Sequence, residues 1–445
     1  MKTVILPAIL FIFLCVAIVT PLYSVDFGGR IDNSTSIDTE APVFGQQDTL
    51  GLWFTTGASN PLIFTAGGSY TFSLTRPYLF NLDDFKLQGN LLTHRANPSK
   101  FSFELGRCRF TDFSGEVLSH TVDGFTAGFT YPFAAVKVAF GYTGLVFKPL
   151  SSIIISKGDS NDKDIDTVIL GSKRLIGTFL VNFPTLFRRQ NLSLSILFQE
   201  DLRKLLAPAE TLNEGDSVFS PEKGSTVDTQ YAGLGLSGPI AAGLFYNVFG
   251  YFGTGRTLSY IDNDSSYQNT WIFSFLAGGG LRYYLEKFLF SRIAVRFLYA
   301  SGDGDSRTFL EGNSAGNSTT FTPISGSATG LIFSPVTGNI FYGNISYSIK
   351  PFSFLKSEVL KSIQTQVDFY SFFRSTPGPI SEPGINPQTT SLYLGSEIDG
   401  VINFRPVSDL GSSISLGFFL PSKQTFLEEK NKPVFLGRFD FSFSF

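Results

Sequence analysis

The amino-acid sequence predicts an all-β protein, a single transmembrane antiparallel up-and-down β-barrel of about eighteen strands. The composition supports this prediction, because 445 residues include 44 Gly and 49 Phe but only 1 Met, and charged residues make up 16%. Segments that alternate apolar and polar residues recur along the chain. Long polar connections between these segments alternate with short ones, as in a barrel with brief turns at one rim and larger loops at the other.

The first residues read as a signal peptide that is removed. Lys2 precedes an apolar run from Val4 to Val19, and a short polar stretch ends at Ser24. The alternative, a lipidation site at Cys15, requires a smaller residue than Leu14 before the cysteine. We therefore predict a leader over residues 1–24, a barrel over residues 25–445 and an exported protein of the bacterial outer membrane.

Composition also excludes several classes of protein. After the leader, no stretch contains the roughly 18 consecutive apolar residues that a spanning helix needs. The formal net charge is −3 and no basic run occurs, so nucleic acid is not an expected partner. No linker divides the chain into separate domains.

The candidate strands follow one another closely. In chain order they cover residues 26–32, 49–58, 62–74, 85–93, 101–111, 116–130, 134–146, 171–183, 190–200, 229–238, 240–253, 271–285, 288–301, 338–350, 363–374, 391–404, 411–420 and 434–445. The long connections are 156–167, 201–228, 254–269, 302–337 and 375–390, and the short ones include 59–61, 131–133, 238–239 and 286–287. Residues 352–362 have the length for a periplasmic helical turn, and Gly106 marks a bulge or a misplaced strand boundary.

The last strand shows the alternation most clearly. Phenylalanine occupies one face of Val434 to Phe445, while Arg438, Asp440, Ser442 and Ser444 occupy the other. We expect this strand to pair with residues 26–32 and close the barrel. Its aromatic end at Phe445 is the expected recognition signal for the machinery that inserts barrels into the membrane.

Charged residues on the Phe-poor faces are expected inside the barrel, because Lys or Arg facing lipid at the midplane costs about 2 to 4 kcal/mol. The predicted pore-lining residues are Lys137, Arg282, Arg292, Arg296, Lys350, Asp368, Arg374, Glu397, Asp399, Arg405 and Arg438. One interpretation is that these charges pair across the wall and hydrate the lumen. The other is that basic rows guide anionic or polyhydroxylated solutes through a water-filled pore.

Several short motifs resemble the alginate-export porin family. They are LGR at Leu105 to Arg107, TVDGFTAGFTY at Thr121 to Tyr131, YASGDGD at Tyr299 to Asp305 with a following TFTP stretch, and LGSEID at Leu394 to Asp399 before GFFLP. The resemblance implies an eighteen-stranded outer-membrane barrel whose characterised members pass an anionic polysaccharide. It also implies inward or rim positions for Arg107, Glu397 and Asp399. The balanced lumen charge departs from that pattern and argues against alginate itself.

Catalytic and cofactor motifs are weak. The two histidines, His94 and His120, have no Ser/Asp partners in register, so the sequence does not predict an enzyme. The acidic GDGD at 302–305 lacks the spacing of a calcium loop, and Gly278 to Gly280 lack the continuation of a phosphate-binding loop. No metal or cofactor is expected, and Cys108 is interpreted as a small packing residue.

The sequence favours a passive porin for small hydrophilic or anionic solutes, with saccharide-like compounds among the candidates. One alternative is an outer-membrane transporter of hydrophobic compounds, with an occluded lumen and a lateral opening. Another is a surface adhesin or structural barrel that acts through its external loops. The expected partners are outer-membrane lipid, the insertion machinery and small solutes, while the oligomeric state and the solute are left open.

Overall fold

The computed structural model describes residues 25–40, 44–57, 61–74, 76, 78–92, 100–153, 168–203, 214–216, 226–261, 263–309, 313 and 316–445. The predicted leader 1–24, the polar segment 156–167 and much of 201–228 lie outside these ranges. Neither described helix is long and apolar enough to cross a membrane.

Eighteen antiparallel strands form a single closed sheet, which confirms the predicted fold class and strand count. In chain order they are β1 (Val25–Asp38), β2 (Phe44–Thr56), β3 (Leu62–Ser73), β4 (Leu79–Leu92), β5 (Lys100–Thr111), β6 (Ser119–Thr130), β7 (Ala135–Tyr142), β8 (Arg174–Phe187), β9 (Gln190–Asp201), β10 (Val227–Ala241), β11 (Leu244–Ile261), β12 (Ser266–Leu285), β13 (Ser291–Ala300), β14 (Ile340–Ile349), β15 (Gln364–Phe373), β16 (Tyr393–Val407), β17 (Leu410–Pro421) and β18 (Val434–Ser444).

The first strand closes the ring. It pairs with β2 through Ile31 opposite Leu50, and with β18 through Ile31 opposite Phe443. Each other strand pairs with its neighbours in the chain. Ring closure leaves no free edge strand, so the ladder hydrogen bonds of the wall are made between its own strands.

The two rims differ in their connections. The rim that carries the described ends of the chain, here called the termini rim, has turns at 131–134, 188–189, 242–243, 286–290 and 408–409. Its longest described connection, 350–363, contains α1 (Glu358–Lys361), so the predicted helical turn is present. The opposite rim, here called the loop rim, carries the long connections 143–173, 202–226, 301–339, 374–392 and 422–433. A short 3₁₀ helix (Lys148–Leu150) lies in the first of them.

Two sequence predictions about connections are wrong. Residues 254–269 belong mostly to β11 and β12, the longest strands, which continue toward the loop rim and pack Tyr260 edge-on against Tyr267 at 5.5 Å. Gly238 and Pro239 lie inside β10, and the turn follows at Gly243, whose φ is +76°. The polar side chains of residues 254–269 suggested a loop. Strand pairing, however, uses backbone hydrogen bonds, which polar residues form as readily as apolar ones.

The interior is packed near the loop rim. Buried apolar residues from the wall and the long connections form one cluster there, which includes Phe110, Leu118, Phe321, Ile324 and Phe333. The ring of Phe333 stacks on that of Phe419 with centroids 4.7 Å apart. Toward the termini rim the inner face is polar and leaves open space.

Candidate pore constriction

Residues 112–118, which connect β5 to β6, fold into the barrel and are called the constriction segment. Asp112 organises it: Oδ1 accepts from the Leu118 amide at 2.8 Å, and Oδ2 accepts from the Ser114 amide at 2.9 Å. Gly115 has φ +76°, a backbone conformation that glycine adopts without strain. One carboxylate therefore shapes the whole turn.

The segment reaches a distant part of the wall. The Tyr251 hydroxyl of β11 donates to Asp112 Oδ2 at 2.6 Å, and the Phe113 ring stacks on Tyr251 at 5.1 Å. Tyr251 is fully buried. Since β5 and β11 are six strands apart in the closed sheet, these contacts carry the segment across the lumen.

At the tip of the segment, Glu116 forms an ion pair with Arg296 of β13. Its second oxygen accepts from the Ser327 hydroxyl at 3.3 Å. Burial raises the pKa of Glu116 above the ordinary range, and the positive charge of Arg296 opposes that rise. The pair spans the passage between the segment and the wall.

The connection 301–339 braces the constriction segment from the loop rim. The Ile324 amide donates to the Val117 carbonyl at 2.8 Å, and the Ser119 amide donates to Ser325 Oγ at 2.7 Å. The two connections therefore form one hydrogen-bonded unit inside the barrel.

A second turn of the same connection docks on the wall through its backbone. The amides of Ile332 and Phe333 donate to the two oxygens of Glu397 at 2.8 Å each, and the Leu331 amide donates to Asp399 at 3.1 Å. Buried carboxylates are stabilised when N–H groups point at them. Glu397 and Asp399 thus hold the turn in place.

Beneath the constriction segment, on the side of the termini rim, three arginines lie on the inner face of β12 and β13. Arg292 and Arg296 are four residues apart on β13, roughly 13 Å along the strand. Arg282 of β12 is opposite Ala294, between them. These three residues are called the arginine row.

The arginine row lines a cavity of about 540 Å³, together with Asp368, Asn344, Ser346 and Gln366. The Arg292 guanidinium donates to Gln366 Oε1 at 3.2 Å. A second cavity of about 610 Å³ is lined by Lys137, Glu104, Gln88 and Asn182. Both cavities reach Phe113, Asn191 and Ser193, so they meet under the constriction segment.

The predicted pore-lining residues fall into two groups. Those that line cavities are Lys137, Arg282, Arg292, Arg296, Asp368 and Arg405. The others do not line these cavities. Arg438 pairs with Asp440 at 3.1 Å, and Glu397 and Asp399 hold the docked turn. Lys350 directly follows β14, and Arg374 donates to the Gly378 and Thr389 carbonyls. Arg374 is 3% exposed and clamps the connection 374–392.

Arg107 is not an inward residue. The β5–β6 register runs without interruption through Gly106, so no bulge reverses the faces there. Arg107 therefore shares the outward face of Leu105, which is 54% exposed, while Glu104 lines the lumen. The inward position that the family resemblance allowed is wrong for this residue, whereas its place four residues before the end of β5 agrees with the alternative, a rim position.

Sequence reasoning missed the residues of the constriction segment. It placed 116–130 in a strand, whereas β6 begins at Ser119. The signal was present in Asp112-Phe113-Ser114-Gly115, since Asp, Ser and Gly in succession favour a tight turn with side-chain capping. Nothing in the sequence showed that this turn folds inward.

Comparisons with known proteins show the fold. No protein-family model matches the chain, and no curated protein matches it. Among solved structures, OccK1 (OpdK) of Pseudomonas aeruginosa is 11% identical, with a TM-score of 0.55 over 95% of this chain and 98% of that chain. OpdQ of the same organism is 12% identical, with a TM-score of 0.53 over 95% and 99%. OprD is 9% identical, with a TM-score of 0.52 over 95% of each chain. The resemblance to the alginate-export family stays a prediction.

Proposed function

We propose that the protein is an outer-membrane porin, a passive channel for small hydrophilic or anionic solutes. The observation that carries this proposal is the arginine row, in which Arg282 and Arg292 lie on the inner wall beneath the constriction that Arg296 forms with Glu116. Fixed positive charge in a narrow aqueous passage favours entry of anions.

The outer face supports a membrane location. Large apolar side chains are exposed around the barrel, among them Phe27, Leu52, Phe80, Ile196 and Phe297. A contiguous apolar surface of this kind is unfavourable in water and suits lipid. The fold is also that of OpdK, which is described as an outer membrane protein.

The lining indicates the class of solute. Besides its arginines, the 540 Å³ cavity presents the amides of Asn344 and Gln366 and the hydroxyl of Ser346. Charged donors beside neutral polar groups suit a small organic anion that also carries hydroxyls, including saccharide-like acids. OpdK has been crystallised with vanillate, an aromatic carboxylate, which makes vanillate a suitable probe here.

The reversal potential across a planar bilayer with a KCl gradient tests the proposal. The refolded barrel should conduct and prefer chloride, and vanillate should reduce the chloride current. The double variant Arg282→Gln/Arg292→Gln should lose most of the preference. A matched control is Arg188→Gln/Arg189→Gln, which removes two exposed arginines from a turn at the termini rim. A closed barrel, or equal selectivity in both variants, would contradict the proposal.

A further inference from the structure

Strands β4 and β5 separate along a seam toward the loop rim. Among the described residues, the β4–β5 pairing ends at Lys86 opposite Gly106. Beyond that pair, residues 79–85 of β4 pair with β3 except for Asp83, and residues 107–111 of β5 pair with β6. The seam is thus five residues long on β5 and seven on β4, of which Asp83 is the additional one, roughly 15 to 20 Å, and it opens toward the loop rim.

The backbone departs from regular strand geometry on both sides of the seam. Gly106 has φ +119°, and a Cβ atom there would come within 2.1 Å of the Phe85 carbonyl oxygen, so only glycine fits. On β4 the register with β3 shifts between Gly67 and Gly68, which leaves Asp83 as an additional residue. Bulges of this kind bend a strand away from its neighbour.

Arg107 occupies the seam. Its guanidinium bonds to the Leu82 carbonyl on β4, donates to the Asp123 carboxylate on β6 at 2.8 and 2.9 Å, and donates to the Leu145 carbonyl of the connection 143–173 at 3.1 Å. The residue is only 6% exposed although it lies on the outward face. One side chain therefore joins both edges of the seam.

The seam borders lipid on one side, and on the other side it borders the buried apolar cluster, to which Phe110 of β5 belongs. Leu82, Phe85, Leu105 and Phe125, which flank it, are exposed apolar residues of the outer face. Its closed end, at the pair of Lys86 and Gly106, lies two residues above Gln88 and Glu104, which line the 610 Å³ cavity. Opening the seam would thus join the cavity to the surrounding membrane.

We propose that the β4–β5 seam is a lateral gate, latched by Arg107, through which an amphipathic solute passes between the lumen and the surrounding lipid. A permanent closure would use ladder hydrogen bonds or apolar packing. Among the described residues, Arg107 bonds across the seam to the Leu82 carbonyl, and Asp123 keeps the guanidinium charge neutralised when that bond breaks. The gate requires a barrel in a membrane, as proposed above, but it does not require axial conduction.

Cys108 provides the test, because it follows the latch residue, faces the interior and is 2% exposed. The full-length protein is refolded into lipid vesicles and treated with pyrene maleimide, which dissolves in lipid, or with a sulfonated maleimide, which stays in water. Modification of Cys108 is measured by peptide mass mapping. Arg107→Ala should raise pyrene labelling about tenfold or more, since hydrogen bonds to a charged group are lost, with little change for the sulfonated reagent.

The matched control is Arg109→Ala. Arg109 lies on the same face of the same strand but donates to Ser119 on β6 instead of crossing the seam, so labelling should stay at the wild-type rate. If Arg107→Ala does not fold, Arg107→Lys should give an intermediate rise. Unchanged pyrene labelling, or an equal rise for both reagents through loosening of the whole interior, would overturn the gate. A barrel that does not conduct ions but labels as expected would refute the porin proposal alone.

Discussion

At the scale of single residues, the ion pair between Glu116 and Arg296 determines how much unneutralised positive charge the arginine row presents to a solute. Glu116 is 7% exposed and holds the arginine nearest the constriction segment. Arg296 also lies over the Tyr342 ring at 5.7 Å, which orients its guanidinium. The carboxylate thus masks one positive charge of the arginine row.

Replacing Glu116 with Gln should unmask that charge. We expect a reversal potential that moves toward the chloride limit and a changed single-channel conductance, because Arg296 is no longer neutralised. The control is Glu358→Gln, which removes an exposed carboxylate from α1 at the termini rim. Identical selectivity of the wild type and Glu116→Gln would contradict this role.

Lowering the pH should change the ion selectivity in the same direction as Glu116→Gln. Because burial raises the pKa of Glu116, the carboxylate takes up its proton at a higher pH than an ordinary glutamate. As pH falls through that range, the negative charge beside Arg296 disappears and the preference for anions should increase. Glu116→Gln should lack this transition in a pH series of reversal potentials, and a transition that persists in the variant would assign it to another group.

At the scale of elements, the docked turn 330–333 shows how the wall restrains a long connection. Gly330 lies so close to Glu397 that a Cβ atom there would approach the carboxylate at 2.6 Å. The stacked rings of Phe333 and Phe419 complete the attachment. A constriction made from loops keeps its shape only if such anchors hold.

Glu397→Ala should loosen this turn without unfolding the barrel. Each hydrogen bond to a charged group contributes about 1.5 to 3 kcal/mol, so hydrogen exchange in the peptide containing Ile332 and Phe333 should rise by about tenfold or more. Glu428→Ala, an exposed residue of connection 422–433, should leave that exchange unchanged. Equal protection in both variants would show that packing of Phe333 alone suffices.

Strands were easier to predict than connections. Alternation identified all eighteen strands, because one face of the barrel wall is largely apolar and the other largely polar. Strand ends were less accurate: β1 extends to Asp38 and β2 begins at Phe44, although the predicted strands end at residue 32 and begin at residue 49. Above the apolar belt both faces of a strand can be polar, so alternation carries no information there.

The candidate site was predictable only in part. The Phe-poor faces placed Arg282, Arg292 and Arg296 on strands whose inner side lines the cavity. The partners of these residues come from connections, and the inward folding of 112–118 depends on Tyr251, which is 139 residues away from Asp112 in sequence. Long-range contacts of this kind leave no local pattern in a single sequence.

At the scale of the whole molecule, closure by β18 joins the two ends of the barrel. The Gly29 amide donates to the Phe445 carbonyl at 2.8 Å, and the Phe445 amide donates back to Gly29 at 3.0 Å. Phe445 as a whole residue is 61% exposed. The backbone of Phe445 helps to close the barrel, whereas its side chain is exposed enough for the insertion machinery to recognise.

Deleting Phe445 should therefore lower the amount of protein inserted into the outer membrane more than the conductance of each inserted molecule. The measurement compares heat-modifiable barrel in membrane fractions with single-channel conductance. Phe445→Tyr, which keeps an aromatic end, serves as the control. Equal losses of insertion and conductance would indicate that the residue acts through closure and not through the insertion machinery.

The central claim is that the barrel conducts small solutes past the arginine row. The reversal potential of single wild-type channels under a KCl gradient tests it most directly. We predict open channels that favour chloride, with the preference lost when Arg282 and Arg292 are replaced by Gln. A barrel that inserts but does not conduct, or one that favours potassium, would contradict the claim.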